Sequence, residues 1–160
     1  MSNTALPIGT SAGMDAMKEA AARTLILALI HRYASVAREH GDRNDTTKLF
    51  HPDGTVRFPD GRDMPASRLR EVTQGDTPKL LRHHLTTVDV QFVSPDEAHC
   101  QSYIIACTDL KMPDHWGRWD DVVRRGGDEK WLFQEKVVVV DGLDPDGWLA
   151  GIFGRGAVDT

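Results

Sequence analysis

The chain has 160 residues, of which 40% are hydrophobic and 27% are charged, and its formal net charge is −5 at pH 7. This length suits a single domain with its own hydrophobic core. A negative net charge without clustered lysines and arginines argues against a nucleic-acid-binding surface. No apolar run reaches the length of about 18–20 residues that a membrane span needs, and the N-terminus lacks the features of a signal peptide. We therefore expect a cytoplasmic protein that binds neither nucleic acid nor membranes.

The composition divides the chain into three regions. Residues 1–13 are small and polar and are interpreted as a flexible arm, and residues 14–141 contain the periodic patterns of a folded domain. Residues 142–160 form a glycine-rich C-terminal tail that also contains Trp148 and Phe153. Those two aromatic residues favour a flap that folds back on the domain, with a disordered end as the alternative.

The domain is predicted to begin with helices. Between Met14 and His40, apolar residues recur at spacings of three and four, which is the pattern of an amphipathic helix. Gly41 is typical of the residue that follows the end of a helix. A short second helix is expected to begin at Asn44 or Asp45, both of which are good N-cap residues.

The chain then turns twice before a third helix. Leu49 and Phe50 are expected to reach the core, and the proline and glycine of His51–Gly54 predict a turn. A hairpin is predicted around Pro59–Gly61. The third helix is expected at 66–74, with a proline at its start and a glycine just after its end.

Four β-strands are predicted in the second half of the domain. Alternating or continuous apolar residues separated by turn residues place them at about 80–93, 98–109, 116–125 and 131–141. The last strand contains Val137–Val140 and is apolar on both faces, so we expect it to be central or covered on both sides. Helices followed by consecutive antiparallel strands are typical of an α+β fold.

The segment Arg82–Thr87 places two histidines and an arginine at the start of the first predicted strand. Imidazole has an ordinary pKa of about 6.5 and exchanges protons near neutral pH. In a regular strand, the side chains of His83 and Leu85 would point to one face of the sheet, and those of Val88 and Val90 to the other. His83 therefore faces a pocket only if its face is the more polar wall or if a β-bulge changes the register. A polar strand edge without function is the alternative.

Five groups of segments resemble motifs of the SnoaL-like group of the nuclear transport factor 2-like superfamily, and they occur in the same order. These segments are Arg32–Ala34 with Gly41–Asp42, Leu49–Gly54, Arg82–Thr87, Ala98–Tyr103 and His115–Asp121. The resemblance implies an α+β cone in which N-terminal helices pack on a curved, mostly antiparallel sheet and enclose an apolar pocket. Scytalone dehydratase, dehydrochlorinases and ketosteroid isomerases belong to the same superfamily.

The resemblance also implies a function. It points to a cofactor-independent lyase or dehydratase that transfers protons on a hydrophobic, aromatic, hydroxylated small molecule, in aromatic compound metabolism. No metal and no cofactor are expected, and a homodimer or homotrimer is implied. An isomerase, an epoxide hydrolase or a polyketide cyclase on the same scaffold remains an alternative. So does a non-catalytic ligand-binding domain or oxygenase subunit.

The position of His83 in its motif matches the catalytic histidine of the dehydratase-like members. The carboxylate that pairs with this histidine in those members falls here on Arg38, and a guanidinium cannot act as a base at ordinary pH. Glu39, Asp42 and Asp109 are therefore the candidates for the carboxylate that orients the imidazole. Solvated acidic groups at a helix end are the alternative for Glu39 and Asp42.

Other residues are expected to contact the substrate. Tyr33 or Arg82 is predicted to stabilise a developing oxyanion, although Tyr33 could simply pack between helix and sheet. The remaining substrate-binding candidates combine aromatic rings with charged or polar groups. They are His84, Phe58, Asp109, His115, Trp116 and Arg118. Surface ion pairs are the alternative for the two arginines.

Overall fold

The computed structural model describes residues 13–39, 43–71 and 78–154. Nearly all of the predicted flexible arm lies outside these residues. So do Gly41, Asp42, the end of the predicted third helix and the last six residues of the tail.

Helix α1 spans Ala16–Val36, as the apolar periodicity predicts. The side chain of Asp15 caps its N-terminus by accepting a hydrogen bond of 2.9 Å from the backbone N–H of Lys18. The buried face of the helix includes Ile26, Ile30 and Tyr33. Helix α2 is short and spans Arg43–Thr47. A 3₁₀ helix covers Ala66–Glu71, in the described part of the predicted third helix.

A single six-stranded sheet follows the order β2-β1-β6-β5-β4-β3. The strands are β1 (Phe50–Arg57), β2 (Asp63–Pro65), β3 (Leu81–Ser94), β4 (Glu97–Thr108), β5 (His115–Arg125) and β6 (Trp131–Leu143). All neighbouring strands are antiparallel except β1 and β6, which run parallel. Strand β6 lies between β1 and β5, so the prediction that the valine-rich strand is central is confirmed. The predicted α+β cone is confirmed as well.

The turn predicted at His51–Gly54 is wrong, because this segment lies inside β1. The parallel pairing with β6 joins Phe50 to Phe133 and then Thr55 to Glu135, so the extra residues of β1 form a bulge. A Cβ at Gly54 would lie 3.0 Å from two backbone oxygens, so a larger residue would fit only if the bulge shifted by a few tenths of an ångström. Proline and glycine here mark a strand irregularity instead of a strand end.

A second bulge lies in β3 and explains to which face of the sheet His83 points. The register between β3 and β4 shifts between Leu85 and Thr87. Before this shift Leu81 is buried, and after it Val90 is buried, so odd-numbered and then even-numbered residues face the core. The prediction that a bulge changes the register is confirmed, and His83 faces the concave side of the sheet.

Helix α1 packs on the concave face of the sheet, where a cluster of aromatic and aliphatic side chains forms the core. Among the described residues, no helix combines the length and the apolar character that crossing a membrane requires. On the opposite, convex face, Tyr103, Ile105 and Trp116 are 40–45% exposed. The expected homodimer or homotrimer stays a prediction.

Candidate active site

A cavity of about 170 Å³ opens between the concave face of the sheet, the end of α1 and a short C-terminal helix, α3 (Trp148–Phe153). An apolar cavity of this size holds a small ring compound, since an engineered cavity of about 150 Å³ binds benzene. Its wall is mostly aliphatic and aromatic. The apolar lining includes Tyr33, Val36, Phe58, Leu69, Leu81, Ile104, Trp119, Val138, Val140, Leu149, Ile152 and Phe153.

Two histidines interrupt this apolar wall. His83 of β3 pairs with Ala106 of β4, and Ala106 pairs with His115 of β5, so the three residues form one row across adjacent strands. Ala106 has a small side chain, so the two imidazole rings converge above it with their centroids 5.9 Å apart. The row therefore places two proton-exchanging groups side by side at the cavity.

The tautomer of His83 follows from its hydrogen bond. Its Nδ1 lies 3.0 Å from the backbone carbonyl oxygen of Ala37, at the end of α1. A carbonyl only accepts, so Nδ1 carries the proton and Nε2 keeps its lone pair. Burial, together with the neighbouring His115, lowers the pKa of His83 to about 3. His83 is therefore a neutral hydrogen-bond acceptor at physiological pH.

His115 has the carboxylate partner that His83 lacks. Its Nδ1 lies 2.8 Å from Oδ1 of Asp114, and the two side chains are 6% and 0% exposed. Burial alone would raise the pKa of Asp114, but hydrogen bonds from His115 and from backbone N–H groups outweigh it and hold the pKa below its usual value. The carboxylate is thus ionised and accepts the Nδ1 proton of His115. This fixes the orientation of the ring and leaves Nε2 of His115 as the nitrogen with a free lone pair.

Asp114 also connects His115 to helix α3. Its Oδ2 accepts hydrogen bonds from the backbone N–H of Trp148 at 2.6 Å and from the hydroxyl of Thr108 at 3.0 Å. Its Oδ1 accepts a second bond, from the backbone N–H of Leu149 at 3.2 Å. The same carboxylate therefore orients the imidazole and fixes the first turn of the helix that covers the cavity. The flap interpretation of the whole tail stays a prediction.

Tyr33 lies in the cavity wall above a buried ion pair. Nζ of Lys136 lies 2.8 Å from Oδ1 of Asp121, both side chains are 0% exposed, and the ammonium lies 4.3 Å from the ring centroid of Tyr33. Burial and the charge of Asp121 raise the pKa of Tyr33. The hydroxyl of Tyr33 therefore keeps its proton at neutral pH and is a hydrogen-bond donor.

The SnoaL-like domain family matches residues 18–137 of the sequence. The chain belongs to the SnoaL-like family. This confirms the resemblance inferred from the five groups of segments. No curated protein sequence matches the chain.

Several solved structures share the fold of this chain. A candidate scytalone dehydratase from Novosphingobium aromaticivorans is 18% identical, with a TM-score of 0.68 over 79% of this chain and 88% of that one. The hexachlorocyclohexane dehydrochlorinase LinA-type3 from Novosphingobium barchaimii is 13% identical, with a TM-score of 0.70 over 81% and 93%. ActVI-ORFA from Streptomyces coelicolor is 20% identical, with a TM-score of 0.62 over 76% and 98%. At these identities the similarity shows the SnoaL-like fold.

Several residues singled out from the sequence lie in the cavity wall of this SnoaL-like domain. They are Tyr33, Phe58, His83 and His115. Glu39 does not orient His83. Its carboxylate accepts a hydrogen bond of 2.7 Å from the backbone N–H of Leu81 and pairs with Arg82, whose hydrogen bond lowers the pKa of Glu39 to about 2.

The other candidates within the described residues lie outside the cavity. Asp109 accepts a hydrogen bond of 3.1 Å from the backbone N–H of Leu80 and contacts neither histidine. Trp116 is exposed on the convex face, and Arg118 pairs with Asp120 and Asp141. His84 lines a groove outside the cavity together with Arg82. Asp42 lies outside the described residues.

Sequence reasoning missed Asp114, which lies in the loop between the strands predicted at 98–109 and 116–125. A signal was present, because Asp114 immediately precedes a histidine at the start of a predicted strand. A residue just before a strand is free of the strict alternation of side chains, so it can turn toward its neighbour. Among the described residues, no group of three or more His, Cys, Asp and Glu side chains is arranged to hold a metal ion.

Proposed function

We propose that this SnoaL-like protein is a lyase that removes water from a small, hydrophobic, hydroxylated ring compound by proton transfer. The observation that carries the proposal is the pair of imidazoles in an apolar cavity, of which His115 is backed by the buried carboxylate of Asp114. Dehydratase- and dehydrochlorinase-type enzymes share this fold, which is consistent with the proposal. Fold alone does not determine the chemistry, so the proposal depends on the site.

In the proposed reaction, Nε2 of His115 removes a proton from a carbon next to a carbonyl group. The electron pair of the broken C–H bond moves toward the carbonyl oxygen and forms an enolate, while Asp114 stabilises the imidazolium. The hydroxyl of Tyr33 donates a hydrogen bond to the enolate oxygen, because its raised pKa keeps it protonated.

The second step regenerates the site. The imidazolium of His115 returns its proton to the hydroxyl on the next carbon, the C–O bond breaks, and water leaves as the C=C bond forms. The proton taken from carbon ends in the water molecule, so the reaction needs proton transfers only. Both transfers use one imidazole, so they take place on the same face of the substrate.

His83 has a different part in this proposal. Its neutral Nε2 accepts a hydrogen bond from a substrate hydroxyl and positions the ring over Ala106. Its low pKa makes it a weak base at physiological pH. The reading in which His83 itself moves the proton stays a prediction, and variants of the two histidines distinguish the two readings.

The test uses 3-hydroxy-1-tetralone, whose loss of water gives the fluorescent product 1-naphthol. We expect the wild type to accelerate this dehydration and His115→Gln to lower kcat by about 10²–10⁴-fold, the usual contribution of a general acid–base group. His83→Gln should mainly raise KM. His99→Gln, which changes an exposed histidine outside the cavity, is the matched control and should behave as the wild type.

Full turnover by His115→Gln, or loss of kcat in His83→Gln alone, would overturn the assignment of His115 as the group that moves the proton. A wild type that releases no water from this compound would count against the dehydratase proposal.

A further inference from the structure

Arg38 occupies the mouth of the cavity. It follows the end of α1 and lines both the cavity and a shallow groove on the outer surface, and His83 also lines both. The groove contains further basic side chains, namely Arg82, His31 and His84, and no acidic side chain lines its described part. A ligand that fills the cavity and extends toward the groove therefore passes Arg38.

The guanidinium of Arg38 is available to a ligand. Among residues 13–39, 43–71 and 78–154, no carboxylate forms an ion pair or side-chain hydrogen bond with Arg38. By contrast, the neighbouring Arg82 is paired with Glu39. The buried carboxylate of Asp114, which pairs with His115 of the cavity wall, is occupied by four donors. The mouth of the cavity therefore carries a net positive charge, although the chain as a whole carries a net charge of −5.

We propose that the ligand of this cavity is an aromatic or alicyclic acid, whose carboxylate binds Arg38 while its ring lies against the apolar wall. A guanidinium stays charged at all ordinary pH values and binds a carboxylate through two parallel N–H donors. This inference names the substrate class of the proposed function and rests on the same cavity.

Binding at Arg38 would also orient the ring. Arg38 and His83 both line the cavity and the groove, and His115 lies two strands further into the sheet than His83. An anion held at Arg38 therefore turns the opposite end of the ligand toward His115. The arrangement makes Arg38 a specificity-determining residue, separate from the groups that move protons.

The test compares two ligands of the same shape, 2-naphthoate and the neutral 2-naphthylmethanol, by isothermal titration calorimetry at pH 7. We expect the wild type to bind 2-naphthoate about 10-fold more tightly, since a charge-assisted hydrogen bond at a partly exposed site is worth about one factor of ten. Arg38→Gln should remove this preference and leave the affinity for 2-naphthylmethanol unchanged. Arg32→Gln, which changes an exposed arginine of the same helix outside the cavity, is the matched control.

The preference for the anion should also weaken at high salt, because salt screens an exposed charge. Equal affinities of the wild type for both ligands, no binding of either ligand, or an equal loss of both in Arg38→Gln would overturn the proposal. The readout is binding alone, so it is separate from turnover. Preference for the anion without any dehydration would contradict only the proposed function, and dehydration without the preference would contradict only this inference.

Discussion

Replacement of Asp114 by asparagine tests whether one carboxylate holds both His115 and helix α3. Each of its two oxygens accepts two hydrogen bonds, from His115 and Leu149 at Oδ1 and from Thr108 and Trp148 at Oδ2. An asparagine side chain keeps one acceptor oxygen and replaces the other by an NH₂ group, which is a donor. At least one buried donor must therefore lose its partner.

The size of the effect follows from which donors can adapt. If the amide nitrogen replaces Oδ2, Thr108 can turn its hydroxyl hydrogen toward the carbonyl oxygen of Lys111, 3.5 Å away. The Thr108 oxygen cannot accept from the new amide, because it already accepts from the backbone N–H groups of Leu110 and Lys111. The backbone N–H of Trp148 has no freedom to turn. The loss of one hydrogen bond to a charged acceptor, together with the weaker bonds that remain, should cost about 3 kcal/mol of unfolding free energy.

Urea unfolding followed by tryptophan fluorescence measures this free energy. Asp109→Asn is the control, because Asp109 is an exposed carboxylate with a single backbone donor and should change the free energy by about 0.5 kcal/mol or less. A loss below about 1 kcal/mol in Asp114→Asn, similar to the loss in the control, would refute the reasoning that the four hydrogen bonds stabilise the fold.

The pH dependence has a definite sign. The pKa of Asp114 is lowered in the folded protein, whereas an unfolded aspartate titrates near about 3.9. Its contribution is therefore present above that pH and is lost as the pH falls toward the lower folded pKa. The difference in unfolding free energy between wild type and Asp114→Asn should shrink as the pH is lowered from 6 through about 3.9.

Three further predictions follow from other parts of the structure. Gly117→Ala should cost about 1–3 kcal/mol in urea unfolding, because its Cβ would lie 2.1 Å from a backbone oxygen of β6, while Gly127→Ala meets nothing within 4 Å and should be neutral. Lys136→Met leaves the buried Asp121 carboxylate unpaired and should lower the free energy of unfolding by about 3–5 kcal/mol. Addition of Asp121→Leu should restore most of that loss, and a larger loss in the double variant would contradict this prediction. NMR spectra of the imidazole nitrogens should show His83 as the neutral Nδ1–H tautomer from pH 8 to pH 4, because its pKa is about 3. For the same reason, the free energy of unfolding should decrease as the pH falls from about 6.5, the ordinary histidine pKa, toward 3. Protonation of His83 near neutral pH would contradict the last prediction.

The local patterns of the sequence predicted most of the fold. The four long strands lie within two residues of their predicted ends, because alternation and turn residues are local signals. The turn at His51–Gly54 was wrong because a parallel pairing with a distant strand overrides the local preference of proline and glycine. The position of β6 could be predicted, since a strand with valines on both faces is typical of the middle of a sheet.

The site was predictable only in part. His83 could be singled out from its motif. The bulge that turns it inward could be proposed because, in a regular strand, His83 would point away from the face of Val88 and Val90. Asp114 could not be ranked above other acids, because three of its four donors belong to residues that are 6 to 35 positions away in the chain. Contacts of this kind depend on tertiary packing, and no periodicity encodes them.

In the proposed function, His115, backed by Asp114, moves a proton between the site and a carbon atom. Deuterium uptake at C2 of 1-tetralone in D₂O, followed by proton NMR, isolates this step, because the compound has no leaving group. We expect uptake above the buffer rate in the wild type and in His99→Gln, and a loss of about 10²–10⁴-fold in His115→Gln. Equal uptake by the wild type and His115→Gln, or no uptake by the wild type, would contradict the proposed role of His115.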